Sequence, residues 1–174
     1  MLNKAGAVLL DTSFFMHLLD HRKEWNEHAH QYMKCFMDSD WTMYLSTVAI
    51  AEWCVKGTMD QLPLNNLQIL PFLASHAERA GEFAAIALQN RLEEVGHRVL
   101  VKNDTKLFAQ ADVKSDITHY LSSDEKSENL FKRLNQSGKY PKFKFASLCL
   151  PIEKTLPVRI AINPYDLFKQ IGTV

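Results

Sequence analysis

Four apolar residues, "AVLL" (7–10), run without a break into Asp11, Thr12 and Ser13, and then into the apolar "FFMHLL". The run has no polar alternation, so a strand made of it is covered on both faces. Strands buried on both faces belong to parallel sheets with helices packed on each side. An acid at the end of such a strand sits at the sheet's carboxyl edge, where α/β sheets bind their ligands.

The rest of the chain repeats the alternation. Thr12 or Ser13 can cap a helix through "FFMHLLDHR", and a second helix covers about 24–38. "WTMYLS" (41–46) reads as strand, and Ser46 or Thr47 then caps a helix ending near Gly57. "QILPF" (68–72) reads as a short extended segment. "SHAERAGEFAAIALQNRLEEVG" reads as a helix capped by Ser75 and stopped by Gly96. "RVLVK" (98–102) leads to Asn103 as a cap and a helix turning Leu107, Phe108 and Ala111 inward. "ITHYL" (117–121) reads as strand and "EKSENLFKRL" as helix. "KFKFASLCL" and "LPVRIAI" read as strands, and "NPYDLFKQI" as a closing helix. This order predicts an α/β fold with a central, mainly parallel sheet flanked by helices on both faces.

Composition narrows the class. A chain of 174 residues with 47% hydrophobic residues suffices for one domain with a full core, so 1–174 is expected to be a single domain. Twenty basic and twenty acidic side chains cancel, so a nucleic-acid partner would need a local patch. Cys35, Cys54 and Cys149 are odd in number and far apart, which predicts neither a zinc knuckle nor a disulfide framework. No run reaches the ~20 apolar residues of a membrane span, and no signal-peptide pattern precedes Asp11. A cytoplasmic protein without membrane contact is expected.

Four acids stand in apolar company. Besides Asp11 there is Glu52, inside "VAIAEWCV", with only Cys54 as another ionisable group. An acid buried there needs a partner, a proton or a metal, and Arg79 or Arg98 could be that partner. Asp104 opens "DTKLFAQA", where a helix N-terminus favours negative charge. Asp124 follows "ITHYL" across "SSD". Taken singly, Asp11, Asp104 and Asp124 read as caps or turn residues. Together at one sheet edge, they would repel by roughly 4 kcal/mol per pair at ~4 Å in an effective dielectric near 20. Hard divalent cations relieve that repulsion.

"VLLDTS", the Glu of "AIAEWCVKG", "VKNDTKLFAQA" and "YLSSD" resemble, in order, the acidic motifs of PIN-domain ribonucleases, whose best-populated relatives are VapC-type toxins. "INPYDLFKQI" resembles that family's closing strand and Pro-led helix. The likeness covers about residues 5–135 and that short end, leaving about 136–160 as an extended C-terminal strand region. It implies a Rossmann-like PIN fold and metal-dependent endonucleolytic cleavage of RNA, by the toxin of a toxin–antitoxin pair or by a related nuclease. It also implies a protein antitoxin and a homodimer. Asp11, Glu52, Asp104 and Asp124 match the family's catalytic, Mg²⁺- or Mn²⁺-binding acids. Thr12 and Ser13 match the hydroxyl turn after the first acid, and Ser122 stands where the family often has Thr. The usual basic residue before the fourth acid is Ser123 here. Asp116 precedes its strand and is expected at the opposite sheet edge.

Lys139, Lys142 and Lys144, interleaved with Tyr140, Phe143 and Phe145, could track an RNA backbone. On a strand the same lysines would guard an edge. His17 and His21 have metal-holding spacing, but Leu18 replaces the Glu of a zinc motif, so a solvated helix face is the better reading. A non-catalytic PIN-like module that binds RNA or protein is the alternative function. A haloacid-dehalogenase-type phosphatase also begins strand–Asp, but needs an acid where Ser13 stands.

Overall fold

In a computed structural model the described residues are 6–89, 101–138 and 140–156. They form a five-stranded sheet of β1 (Ala7–Leu10), β2 (Thr42–Ser46), β3 (Gln68–Leu70), β4 (Ile117–Ser122) and β5 (Lys144–Ser147), in the order β3-β2-β1-β4-β5. Every pairing is parallel, so the described sheet is wholly parallel. It is flanked by α1 (Thr12–Leu18), α2 (Asn26–Asp38), α3 (Thr47–Trp53), α4 (Ala74–Gln89), α5 (Val101–Val113) and α6 (Glu125–Gln136).

The central strand shows why. Val8, Leu9 and Leu10 are all fully buried although successive side chains point to opposite faces. Both faces of β1 are therefore covered. The chain steps outward from β1 to β2 and β3, then returns to β4 on the other side of β1. The reversal lies between β1 and β4, and a crevice opens at such a point beyond the strands' carboxyl ends. Asp11 and Ser122 stand on its two sides.

The caps differ in detail from expectation. Asp11, not Thr12 or Ser13, caps α1: its backbone is extended and its carboxylate accepts the Ser13 N–H, while Thr12 is already helical. Ser46 caps α3 by accepting from Val48 N at 2.9 Å, as expected. Ser75 lies inside α4, where Leu73 N donates instead to His76 Nδ1 at 3.0 Å. Asn103 caps nothing, because Val101 and Lys102 are already helical in α5. Buried Gln110 of α5 accepts from Ser46 Oγ at 2.5 Å and donates to Leu70 O at 3.1 Å, tying the carboxyl ends of β2 and β3 together.

The core beside β4 is aromatic. Phe108 meets Tyr120 edge to face at 4.9 Å and lies 5.4 Å from Phe143. Just before and at the start of β5, Phe143 is buried while Lys142 and Lys144 are exposed. After β5 the Tyr32 hydroxyl bonds to Thr155 and donates to Leu150 O at 3.0 Å, fastening this segment to α2. "LPVRIAI" after its first residue, the closing helix, Gly96, Arg98 and Lys139 lie outside the described residues. No described helix is long and apolar enough to cross a membrane.

His119 is buried on β4 beside Trp41, and its Nε2 has no hydrogen-bond partner. Burial, and then Lys144, push its pKa down to about 4. The folded chain thus binds fewer protons than the unfolded chain between about pH 6.5 and 4, so this group removes stability as pH falls through that window. The loss is about 3 kcal/mol at most. His119→Leu should flatten the acid side of the stability curve, read from urea melts between pH 7 and 4; a wild-type acid limb kept by the variant would refute this assignment.

Candidate active site

The four acids come from four separate elements and line one cleft of about 890 Å³. Asp11 follows β1, Glu52 is in the last turn of α3, Asp104 is in α5 and Asp124 caps α6. Thr12, Ser13, Met16, Trp53, Lys56 and Gln61 share the walls.

Asp11 is buried, 6% exposed, and its orientation is set from both sides of the crevice. Oδ2 accepts from Ser13 Oγ at 2.6 Å and from Ser122 Oγ at 2.7 Å. Each serine also accepts a backbone N–H: Ser123 N donates to Ser13 Oγ, and Asp124 N donates to Ser122 Oγ, both at 3.0 Å. The turn after β4 is thereby locked to the turn after β1. Thr12 serves a different acid. Its hydroxyl donates to Glu52 Oε2 at 2.5 Å, and Asn103 Nδ2 donates to Glu52 Oε1 at 2.6 Å. Glu52 is half-buried rather than sealed from water, and hydroxyl and amide donors hold it in place of Arg79. Asp124 is exposed, and Lys126 N donates to its Oδ1 at 2.8 Å. It is a cap and a cleft residue at once.

Asp104 carries the electrostatic signature. Burial pushes its carboxyl up to about 7, and Asp11, Asp124 and Glu52 push the same way. An acid raised by desolvation and by three like charges in a cleft is a functional-site candidate. Among the described residues no group of three His, Cys, Asp or Glu side chains is arranged to hold a metal ion. The donor set itself is all oxygen and short of positive charge, which suits a hard divalent cation.

Several candidates fall elsewhere. Lys142 and Lys144 lie at the amino end of β5, and Lys144 pairs in register with His119, so both are at the opposite end of the sheet from the cleft. Asp116 also lies at the amino end, accepting from Tyr44 at 2.7 Å and pairing with Lys114 at 2.9 Å. His17 Nδ1 accepts from Trp25 N at 3.4 Å and serves the turn after α1. Arg79 pairs with Asp112 and Glu82.

Lys56, Trp53 and Gln61 were not singled out by sequence reasoning, yet they line the cleft. The signal was Lys56, four residues after Glu52 in "AEWCVKG". Gly57 lets this turn close: a Cβ there would come within 2.7 Å of the Trp53 indole nitrogen. That nitrogen donates to Thr58 O at 3.0 Å, which fixes the ring at the cleft wall.

No protein-family model matches the chain, and no curated protein matches it by sequence. Solved structures do match. VapBC2 from Rickettsia felis, bound to a DNA fragment from its promoter, aligns with a TM-score of 0.57 and 14% identity over 81% of this chain and 98% of that one. DNA-bound VapBC from Salmonella typhimurium aligns with a TM-score of 0.51 and 15% identity over 83% of this chain and 99% of that one. The strand order, the acids at the switch point and these likenesses agree, and the chain has the fold of the VapC-type PIN domains.

Proposed function

We propose that this protein is a metal-dependent endoribonuclease of the toxin kind. The observation that carries the reading is Asp104, raised to about 7 in a cleft it shares with Asp11, Glu52 and Asp124. Those four acids would hold Mg²⁺ or Mn²⁺. When bound, the cation supplies charge to offset the phosphodiester and lowers the pKa of a water.

The chain's own groups do the rest. Ser13 and Ser122 orient Asp11, and Thr12 and Asn103 orient Glu52. Asp104, unfavourable as an anion in the metal-free cleft, would gain its counter-charge from the cation it helps to hold. Lys56 supplies a cation to the cleft that position 123 lacks, and it contacts substrate phosphate in this reading. Lys56→Ala should raise KM for RNA several-fold and leave the melting temperature unchanged, because the side chain is exposed. A kcat loss with KM unchanged would remove Lys56 from phosphate binding.

The test is cleavage of structured and single-stranded RNAs with Mg²⁺, with Mn²⁺ and with chelator, on a protein whose Mn²⁺ binding is measured by calorimetry. Metal-dependent internal cuts support the reading; absence of both binding and cutting rejects it. One observation favours a non-catalytic RNA- or protein-binding module instead: the described acids are not already arranged around an ion site. RNA binding without any cut would support that module. The exposed Met16 and Leu19 at the carboxyl end of α1 and Val55 beyond Glu52 form an apolar lip on the cleft. In the toxin reading this lip receives a protein antitoxin, and a homodimer completes the assembly.

A further inference from the structure

Two hydroxyls on the protein side of the cleft have no part in the fold's hydrogen bonding. Tyr120 in β4 is wholly buried among Phe108, Phe143 and Phe145. Ser127, in the first turn of α6, is equally buried. Neither hydroxyl meets a hydrogen-bond partner. A buried hydroxyl left unpaired is costly, and packing alone would be served as well by Phe and Ala.

Both hydroxyls face the acids. Tyr120 is two residues before Ser122, so the two side chains share one face of β4. Ser122 donates to Asp11. The Tyr120 hydroxyl stands close enough to feel Asp11, Asp104 and Ser127, and Ser127 faces Asp104, but none of these contacts has hydrogen-bond geometry. All three hydrogen bonds to the Asp11 carboxylate reach Oδ2, which leaves Oδ1 for a further donor or ligand.

We propose that Tyr120 and Ser127 are positioning residues whose hydroxyls donate to Asp11 and Asp104 from the buried side once a divalent cation draws those carboxylates together. The inference rests on the metal-dependent reading above. It accounts for two buried, unpaired hydroxyls that lie within electrostatic reach of the acids. They touch neither substrate nor reacting atoms; they act through the carboxylates.

The test compares wild type with Tyr120→Phe, Ser127→Ala and the double variant. Tyr120→Phe keeps the ring and its aromatic contacts, and Ser127→Ala removes only an oxygen. Thermal melts in chelator and Mn²⁺ calorimetry are run on the same samples. The metal-free melting temperature should stay level or rise in each variant, while Mn²⁺ affinity falls about tenfold per hydroxyl. Mn²⁺ affinity equal to wild type in all three variants would overturn the proposal. So would a melting temperature that falls in step with affinity, which assigns the hydroxyls to the fold. A wild type that binds no Mn²⁺ removes the metal-dependent reading itself, and this inference with it. The two failures are thus told apart by the wild-type titration.

Discussion

Asp104→Asn is expected to cut RNA cleavage by at least about 10–100-fold, the range for loss of a group that supports a metal site, while making the metal-free protein more stable at neutral pH. The two effects share one cause. Burial and three neighbouring acids make the ionised Asp104 unfavourable, with a folded-state pKa of about 7 against an ordinary 3.8. Between about pH 4 and pH 7 the folded chain holds a proton that the unfolded chain has released. Stability contributed by this group is therefore lost as pH rises through that window. The loss is on the order of 4 kcal/mol at most, and Asn escapes it. Urea melts of the metal-free proteins at pH 5 and pH 8 should show the variant gaining on wild type as pH rises. This is opposite in sign to the His119 effect, so the two variants separate the contributions. Undiminished cleavage by Asp104→Asn would strike Asp104 from the mechanism.

Asp112→Ala should do the reverse: destabilise the protein without touching the chemistry. Asp112 is 3% exposed and lies outside the cleft. Its Oδ2 accepts from Arg79 Nε at 2.8 Å, and its Oδ1 accepts from Lys142 N at 2.7 Å. One carboxylate thus joins α4, α5 and the chain leading into edge strand β5. Removing it leaves the mostly buried Arg79 without its inward partner and orphans a backbone N–H. Breaking a buried pair in this way costs about 3–5 kcal/mol, a large part of the ~5–15 kcal/mol that holds a domain together. Chemical denaturation checks it. A change below about 1 kcal/mol would show that Glu82 alone satisfies Arg79.

Asp104 and Asp112 also show where sequence reasoning stops. Both lie in α5, in "NDTKLFAQAD", eight residues apart. One faces three other acids; the other faces an arginine. Their immediate neighbours do not distinguish them, because what separates them is the element each meets across space. The resemblance of "VKNDTKLFAQA" to a motif picked out Asp104, and nothing in the local pattern picked out Asp112. Lys142 and Lys144 illustrate the opposite error. Of the "KFKFASLCL" read as strand only Lys144–Ser147 forms one, and strand direction put the lysines at the far end of the sheet. A one-dimensional pattern carries periodicity and no direction relative to a distant acid.

What the sequence determined by itself was the layer architecture and the carboxyl edge. "AVLL" is apolar at successive positions, so it must be covered on two faces, and the repeated strand–polar–helix order makes the sheet parallel. Asp11, Ser46 and Ser122 then fall at strand ends for purely local reasons, and the order of the acidic motifs already resembled the fold that was found. Tertiary structure alone decided the partners. Thr12 serves Glu52 while Ser13 and Ser122 serve Asp11, Lys56 lines the cleft, and the Tyr120 and Ser127 hydroxyls end buried without partners. Hydrogen bonds and charge–charge energies depend on distances between elements far apart in the chain. Those distances are set only when β1 and β4 come to lie side by side.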